Sequence, residues 1–171
     1  ARYRAPEIAY VVENAELCAV ITNSEADDFV DFTTRLTEAF PEIGRCADPM
    51  ALDIAQAPRL RRLILNGGKQ AAGFIDQSAF DAAAATVDEE AVHEARLSVR
   101  LRDTCMVLYT SGTSANPKGC LLSNAAICRE ASNLARNRWA FQDDERVWSP
   151  MPLFHIAAML AMLGAIEVGG T

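Results

Sequence analysis

Apolar residues along this chain alternate between helical and strand spacings, and their order decides the fold class. Pro6 and Glu7 have the make-up of a helix first turn, and Ile8, Val11, Val12 and Ala15 follow at helical spacing. Cys18 to Thr22 then reads as a short buried strand. Asp27 to Phe40 is amphipathic, with Phe29, Phe32, Leu36 and Phe40 near one face, and Pro41 ends it. Arg62 to Asn66 is a second strand, closed by Gly67-Gly68. Residues 67–102 carry an alanine run (Ala82 to Ala85) and an acidic patch (Asp88, Glu89, Glu90); they read as a connection with one or two short helices. The acidic patch is a solvated helix start rather than a metal site.

Thr104 to Tyr109 is a continuous apolar run of the kind found in buried strands of parallel sheets. A small, polar, glycine-containing loop follows. An amphipathic helix comes next, capped by Ser123 or Asn124, with Ile127, Ala131, Leu134 and Arg138 on one side. The loop Gln142 to Glu145 leads to a strand around Arg146 to Ser149, then Pro150 to Pro152, an apolar helix, and Gly169-Gly170-Thr171. Alternating strands and helices predict an α/β fold with a mostly parallel sheet and flanking helices. Both ends look cut, because the chain lacks an initiator Met and stops at a Gly-Gly turn where another strand should begin.

Composition narrows the function classes. With 171 residues, half of them hydrophobic, the chain can bury one sizeable core. A net charge of −7 argues against nucleic acid and against an anionic membrane face as partners. The arginine clusters (Arg59, Arg61, Arg62; Arg96, Arg100, Arg102) sit among acids and read as solvated surface. No apolar run reaches the roughly 18 residues a span requires. The longest, Ile156 to Val168, is interrupted by Gly164 and Glu167. There is no signal-peptide pattern at the start. The five cysteines (Cys18, Cys46, Cys105, Cys120, Cys128) show no C-x-x-C spacing, so a disulfide framework or zinc site is not indicated. A reducing, cytoplasmic location fits that set.

The chemistry lies in Tyr109-Thr-Ser-Gly-Thr-Ser-Ala-Asn-Pro-Lys-Gly119. Four hydroxyls (Thr110, Ser111, Thr113, Ser114), two glycines and Lys118 leave an apolar strand together. Glycines let successive N–H groups point into one concavity, an anion-binding nest. Hydroxyls add donors to phosphate oxygens, and Lys118 adds a mobile positive charge. The N-terminus of the following helix would add a favourable dipole. Loops at the carboxyl ends of parallel strands are where open α/β sheets take ligands. The plain alternative is a Ser/Thr/Gly-rich surface turn. A Walker loop is excluded, since Lys118 is followed by Gly119 and Cys120 rather than by Ser or Thr.

Thr110 to Gly119 resembles the phosphate loop of the adenylate-forming superfamily: acyl-CoA synthetases, peptide-synthetase adenylation domains and firefly luciferase. Pro152-Leu-Phe-His155 resembles a second block of the same family. Leu121-Leu-Ser-Asn124 resembles its Leu-Ser/Thr-His step, with Asn124 in place of the histidine. Arg2 to Tyr10 resembles a stretch where acyl-CoA synthetases begin a helix. The similarity is strong from 104 to 171 and weak from 41 to 102. Two departures fall inside the loop: Ser114 stands where Thr is usual, and Ala115 where Gly is usual. Serine keeps the hydroxyl, whereas alanine restricts the backbone.

The resemblance implies that this is part of the large N-terminal domain of an adenylate-forming enzyme. Such an enzyme uses Mg-ATP to convert a carboxylate into an acyl-adenylate, and then a thiol, usually of CoA, displaces AMP. It implies ATP, Mg²⁺ and coenzyme A as cofactor, ion and cosubstrate, and a small carboxylic acid as substrate. It assigns Thr110, Ser111, Gly112, Thr113, Ser114 and Lys118 to the phosphates, with Thr110 also approaching Mg²⁺. His155 is implied as an aromatic gate beside the carboxylate and adenylate; its apolar neighbours also suit a plain pocket-wall histidine. His93 lies among charges and reads as surface, and Cys120 and Cys128 read as packing residues. The family's adenine, ribose and hinge elements and its catalytic lysine are expected beyond Thr171. Loading of a carrier protein, or a non-catalytic nucleotide-binding homologue, are the rival readings.

Overall fold

The computed structural model describes residues 3–25, 29–110 and 116–171. The chain forms two compact units, residues 1–93 and 94–171.

The first unit is built on three parallel strands: β1 (Ala19–Thr22), β2 (Arg62–Leu65) and β3 (Ile75–Asp76), in spatial order β1-β2-β3. Their register pairs Ile21 with Ile64 and Ile64 with Ile75. Helix α1 (Ala5–Asn14) carries Pro6 in its first turn, and the Glu7 carboxylate accepts the Arg4 N–H at 2.8 Å. Helix α2 (Phe32–Ala39) starts later than the spacing predicts. The Asp31 carboxylate accepts from the Thr34 N–H at 2.8 Å and from the Thr33 and Thr34 hydroxyls, which fixes the first turn there. Residues 26–28, where the helix was expected to begin, lie outside the described residues. Phe29 is 90% exposed and takes no part in the packed face. Leu36 and Phe40 do face inward, and with Ile43, Ile54, Leu60, Leu63 and Phe74 they make the core.

β1 is not the buried strand its composition suggests. It lies at the sheet edge, its residues alternate between exposed and half-buried, and Ile21 is 61% exposed. The buried apolar strand is the central one, β2, where Leu63, Ile64 and Leu65 are all enclosed. After β2 the chain turns through Gly67 and Gly68, both left-handed (φ +91° and +84°). The Ser24 hydroxyl, itself buried, bonds to the Lys69 backbone on both sides, donating to its C=O at 3.1 Å and accepting from its N–H. That clasp ties the carboxyl ends of β1 and β2 together. Helices α3 (Gln77–Ala84) and α4 (Glu89–Ser98) follow; neither has a buried residue.

The second unit corrects the largest expectation. β4 (Thr104–Thr110) pairs with β5 (Lys118–Ser123) in an antiparallel ladder, not with a parallel neighbour, and most of its residues are exposed. The connection is residues 111–117, far too short for the crossover that a parallel partner requires. Lys118 to Leu122, where no strand was expected, is extended because it completes this ladder. Helix α5 (Asn124–Asn133) therefore begins after a strand, capped by the Ser123 hydroxyl, which accepts the Ala126 N–H at 3.3 Å. It runs into one π-helical turn, Leu134–Arg138. Helix α6 (Ile156–Glu167) packs on α5 through small residues. A Cβ on Gly164 would lie 3.2 Å from that of Ala135.

No strand forms at 146–149. Pro150 and Pro152 supply no N–H groups, and Trp148 is 84% exposed. At this segment the Val147 N–H donates to the Thr171 carbonyl (2.7 Å) and the Thr171 N–H to that of Glu145 (2.9 Å). Among the described residues, no helix is long and apolar enough to cross a membrane.

Two stability predictions follow from the first unit. A Cβ on Gly68 would overlap the Ser24 hydroxyl and lie 2.7 Å from the Ser24 carbonyl carbon, at a left-handed φ. Gly68→Ala should therefore cost at least about 1–3 kcal/mol, read as a lowered urea midpoint; an unchanged midpoint would show that the clasp carries no strain. The hydrogen bonds from Thr34, and then Thr33, hold the Asp31 carboxyl below its ordinary value. Its contribution to stability is thus present above about pH 4 and is lost as pH falls through the lowered folded value. Asp31→Asn should flatten acid unfolding in that window, which a pH series of melts checks.

Candidate functional site

The β4–β5 ladder places the ends of the expected phosphate loop. Its last pair is Thr110 opposite Lys118, and the Thr110 hydroxyl donates to the Lys118 carbonyl at 3.5 Å, the long limit of a hydrogen bond. Directly opposed residues of an antiparallel pair share one sheet face. The Thr110 hydroxyl and the Lys118 ammonium stem thus emerge on the same side at the mouth of the loop. Both residues are exposed. Ser111, Gly112, Thr113 and Ser114, together with Ala115, lie outside the described residues.

The helix dipole is arranged differently from expectation. α5 begins at Asn124, at the far end of β5 from Lys118, so its N-terminus stands with the base of the hairpin. There the Asn124 amide donates to the Arg100 carbonyl (3.1 Å). The Asn124 N–H donates to Asp103, and the Ala125 N–H to Leu101. The Asp103 carboxylate accepts the Arg100 N–H at 2.7 Å. Asn124 thus pins the turn that feeds β4.

His155 is exposed and forms the N-cap of α6. Its Nδ1 accepts the Ala157 N–H at 3.3 Å, and its own N–H donates to the Pro152 carbonyl at 2.9 Å. The Pro152-Leu-Phe-His155 block is therefore a turn that starts the helix. With Nδ1 used as an acceptor, a neutral ring carries its proton on Nε2, the nitrogen left to face a ligand. Leu153 and Phe154 beside it are 65% and 72% exposed, so they make no enclosed wall in this unit. No hydrogen bond or ion pair among the described residues joins His155 to Thr110 or Lys118.

No cluster of His, Cys, Asp and Glu among the described residues is arranged to hold a metal. Thr110 alone offers one neutral hydroxyl, which suits a Mg²⁺ ion carried chiefly by substrate phosphates rather than by a protein cage. One feature escaped the sequence reading: Tyr109 opposite Gly119, with the ring laid over the glycine. Its sequence signal was the equal inset of the two residues from the loop, visible only once β5 is recognised as a strand.

The hairpin and the capped helix that follows it belong to an α/β fold. The family model described as AMP-binding enzyme matches residues 1–171, and the chain belongs to that family. YngI of Bacillus subtilis (strain 168), assigned as an acyl-CoA synthetase, is 28% identical over 170 residues. The match takes in 98% of this chain but 30% of that relative's length. Two solved structures share the fold. The anthranilate CoA ligase AuaEII, in complex with anthranoyl-AMP, matches with a TM-score of 0.69 and 16% identity over 99% of this chain and 28% of its own. The N-terminal domain of FACL13 from Mycobacterium tuberculosis matches with a TM-score of 0.65 and 21% identity over 99% and 35% respectively. The α/β fold with a parallel sheet and flanking helices is that of N-terminal domains in adenylate-forming enzymes.

The cap geometry makes its own prediction. His155→Ala should destabilise the first turn of α6 by about 1 kcal/mol, and His155→Asn, which can accept the same N–H, should restore most of it. Hydrogen exchange at residues 156–159 reads this directly; equal exchange in both variants would show that the imidazole is not the cap.

Proposed function

We propose that the chain is part of the N-terminal AMP-binding domain of an acyl-CoA synthetase, truncated at both ends. The protein it belongs to activates a carboxylic acid with ATP and passes the acyl group to CoA. The family match over the whole chain, joined to the Thr110–Lys118 pair at the mouth of a hydroxyl-rich loop, carries this reading. The extended similarity to YngI favours CoA over a carrier protein as acceptor. Five cysteines without a disulfide suit a reducing, cytoplasmic setting.

In the first step a carboxylate oxygen attacks the α-phosphorus of ATP. The α–β bridging bond breaks, and pyrophosphate leaves with its electrons. Negative charge grows on the β- and γ-phosphates as that bond lengthens. Lys118, with Thr110, Ser111, Thr113 and Ser114 and the N–H groups around Gly112, would stabilise it. Mg²⁺, met on the protein side by Thr110, would neutralise part of the same charge. In the second step the thiolate of CoA attacks the acyl carbon and AMP departs. His155 would border the carboxylate and adenylate as a gate, offering Nε2–H as a donor rather than acting as a base.

Carboxylate-dependent exchange of labelled pyrophosphate into ATP by the full-length enzyme is the test. Lys118→Ala should cut exchange by about 10²-fold, raising the ATP requirement without reordering acid preference. His155→Ala should slow turnover and leave ATP binding nearly unchanged. No exchange across a broad acid panel would overturn the reading. Residues 1–171 expressed alone should be inactive and poorly stable. Leu121 is 71% exposed and Phe154 72%, and each such side chain left in water forgoes roughly 1.5–3 kcal/mol. A cooperative melt with measurable exchange from this chain would contradict the truncated-domain proposal.

A further inference from the structure

We infer that Tyr109 is a positioning residue: its ring, seated on Gly119, locks the β4–β5 register and so decides which face of the hairpin Lys118 leaves from. The inference rests on the phosphate-loop reading for its functional consequence, though not for its structural content.

Register in a hairpin is normally fixed by a tight two-residue turn. Here the connection is residues 111–117, which cannot do that, and the ladder already carries an irregularity between Thr104 and Met106. Strand side chains alternate in direction, so a slip of one residue would carry Lys118 to the opposite face from Thr110. Asn124 and Asp103 hold the base of the hairpin, and a side-chain feature at the loop end can hold the register there.

Tyr109 opposite Gly119 is that feature, one rung below Thr110 opposite Lys118. A Cβ placed on Gly119 would lie 3.2 Å from Tyr109 Cζ, 3.4 Å from its Oη and 3.1 Å from Val107 Cγ1. The aromatic ring and the valine thus occupy the space a side chain would need. If the strands slipped by one, Lys118 or Cys120 would stand opposite Tyr109, and the Cβ of either would take the ring's seat. A Cβ there would force the ring or the valine to give by a few tenths of an ångström, and only one register sets the glycine opposite the ring. An aromatic laid across a cross-strand glycine also shields that bare backbone from water. Tyr109 and Gly119 share one face while Thr110 and Lys118 share the other, so the lock stays clear of the phosphate side.

Gly119→Ala, Tyr109→Ala and the double variant, in the full-length enzyme with Lys118→Ala alongside, test this. Gly119→Ala should raise the KM for ATP about tenfold or more, with the KM for the acid within about twofold and the melt little changed. Tyr109→Ala should raise the KM for ATP less. The double variant should recover much of the Gly119→Ala loss, because removing the ring vacates the space the new methyl needs. Hydrogen exchange in residues 104–110 and 118–123 should rise in Gly119→Ala and fall back in the double variant, whatever the activity. Unchanged exchange and ATP dependence in Gly119→Ala, or a double variant worse than either single, would overturn the lock. If Gly119→Ala does not fold, faster exchange in Tyr109→Ala supports the lock and wild-type exchange refutes it. If only Lys118→Ala proves silent for ATP, the phosphate-loop reading fails and exchange alone decides the register question.

Discussion

The antiparallel pairing of β4 with β5 is the constraint on which the rest of the site depends. It delivers both ends of the 111–117 connection to one rung, with Thr110 and Lys118 face to face. Opposed Cα atoms in such a ladder are about 4.5–5.5 Å apart, so the loop starts and finishes as a closed stem. A lysine in an untethered loop would have to be ordered from scratch when an anion arrived. Lys118 instead has a backbone already fixed by the strand, and only its side chain remains to be ordered.

The surroundings fix the stem from below. Asn124 and Asp103 fasten the turn before β4, and Ser123 caps α5 directly after β5, so the base of the hairpin and the start of a helix share residues. α6 lies on α5 at the closeness that Gly164, Ala131 and Ala135 allow, and its N-terminus carries His155. In the first unit the same device recurs: Asp31 and Asp76 cap α2 and α3 through backbone N–H groups. Short helices with few buried residues depend on such caps, because packing supplies little to offset chain entropy.

Much of this was legible in residues alone, and the failures have physical causes. The α/β class, α1, β2, the end of α2 at Phe40 and the cap at Ser123 follow from periodicity and capping chemistry. The phosphate role of the loop is read from composition and resemblance, and Ser111 to Ala115 lie outside the described residues. What could not be read was pairing partner and burial. An apolar run such as Thr104–Tyr109 is compatible with a buried parallel strand or with one arm of a hairpin. Lys-Gly-Cys-Leu-Leu lacks the alternation that would mark 118–122 as the other arm. Ile21 and Phe29 were placed inside by hydrophobicity and lie outside, because an edge strand and a delayed helix start leave them uncovered. The role of His155 as a cap was hidden because histidine is an unusual N-cap and its family block drew attention to ligand contact instead.

The central claim is that Lys118, held at the stem of this loop, meets the phosphates of ATP. Lys69 and Lys118 are the two lysines of residues 1–171, so Lys69 serves as the internal control in a differential labelling experiment. The full-length protein is treated with an amine-reactive acylating reagent with and without Mg-ATP, and modification of each lysine is followed by peptide mass spectrometry. The account predicts that ATP slows labelling of Lys118 while Lys69, clasped at its backbone by Ser24 at the end of β2, labels at the same rate. Equal labelling of Lys118 with and without saturating ATP would contradict it.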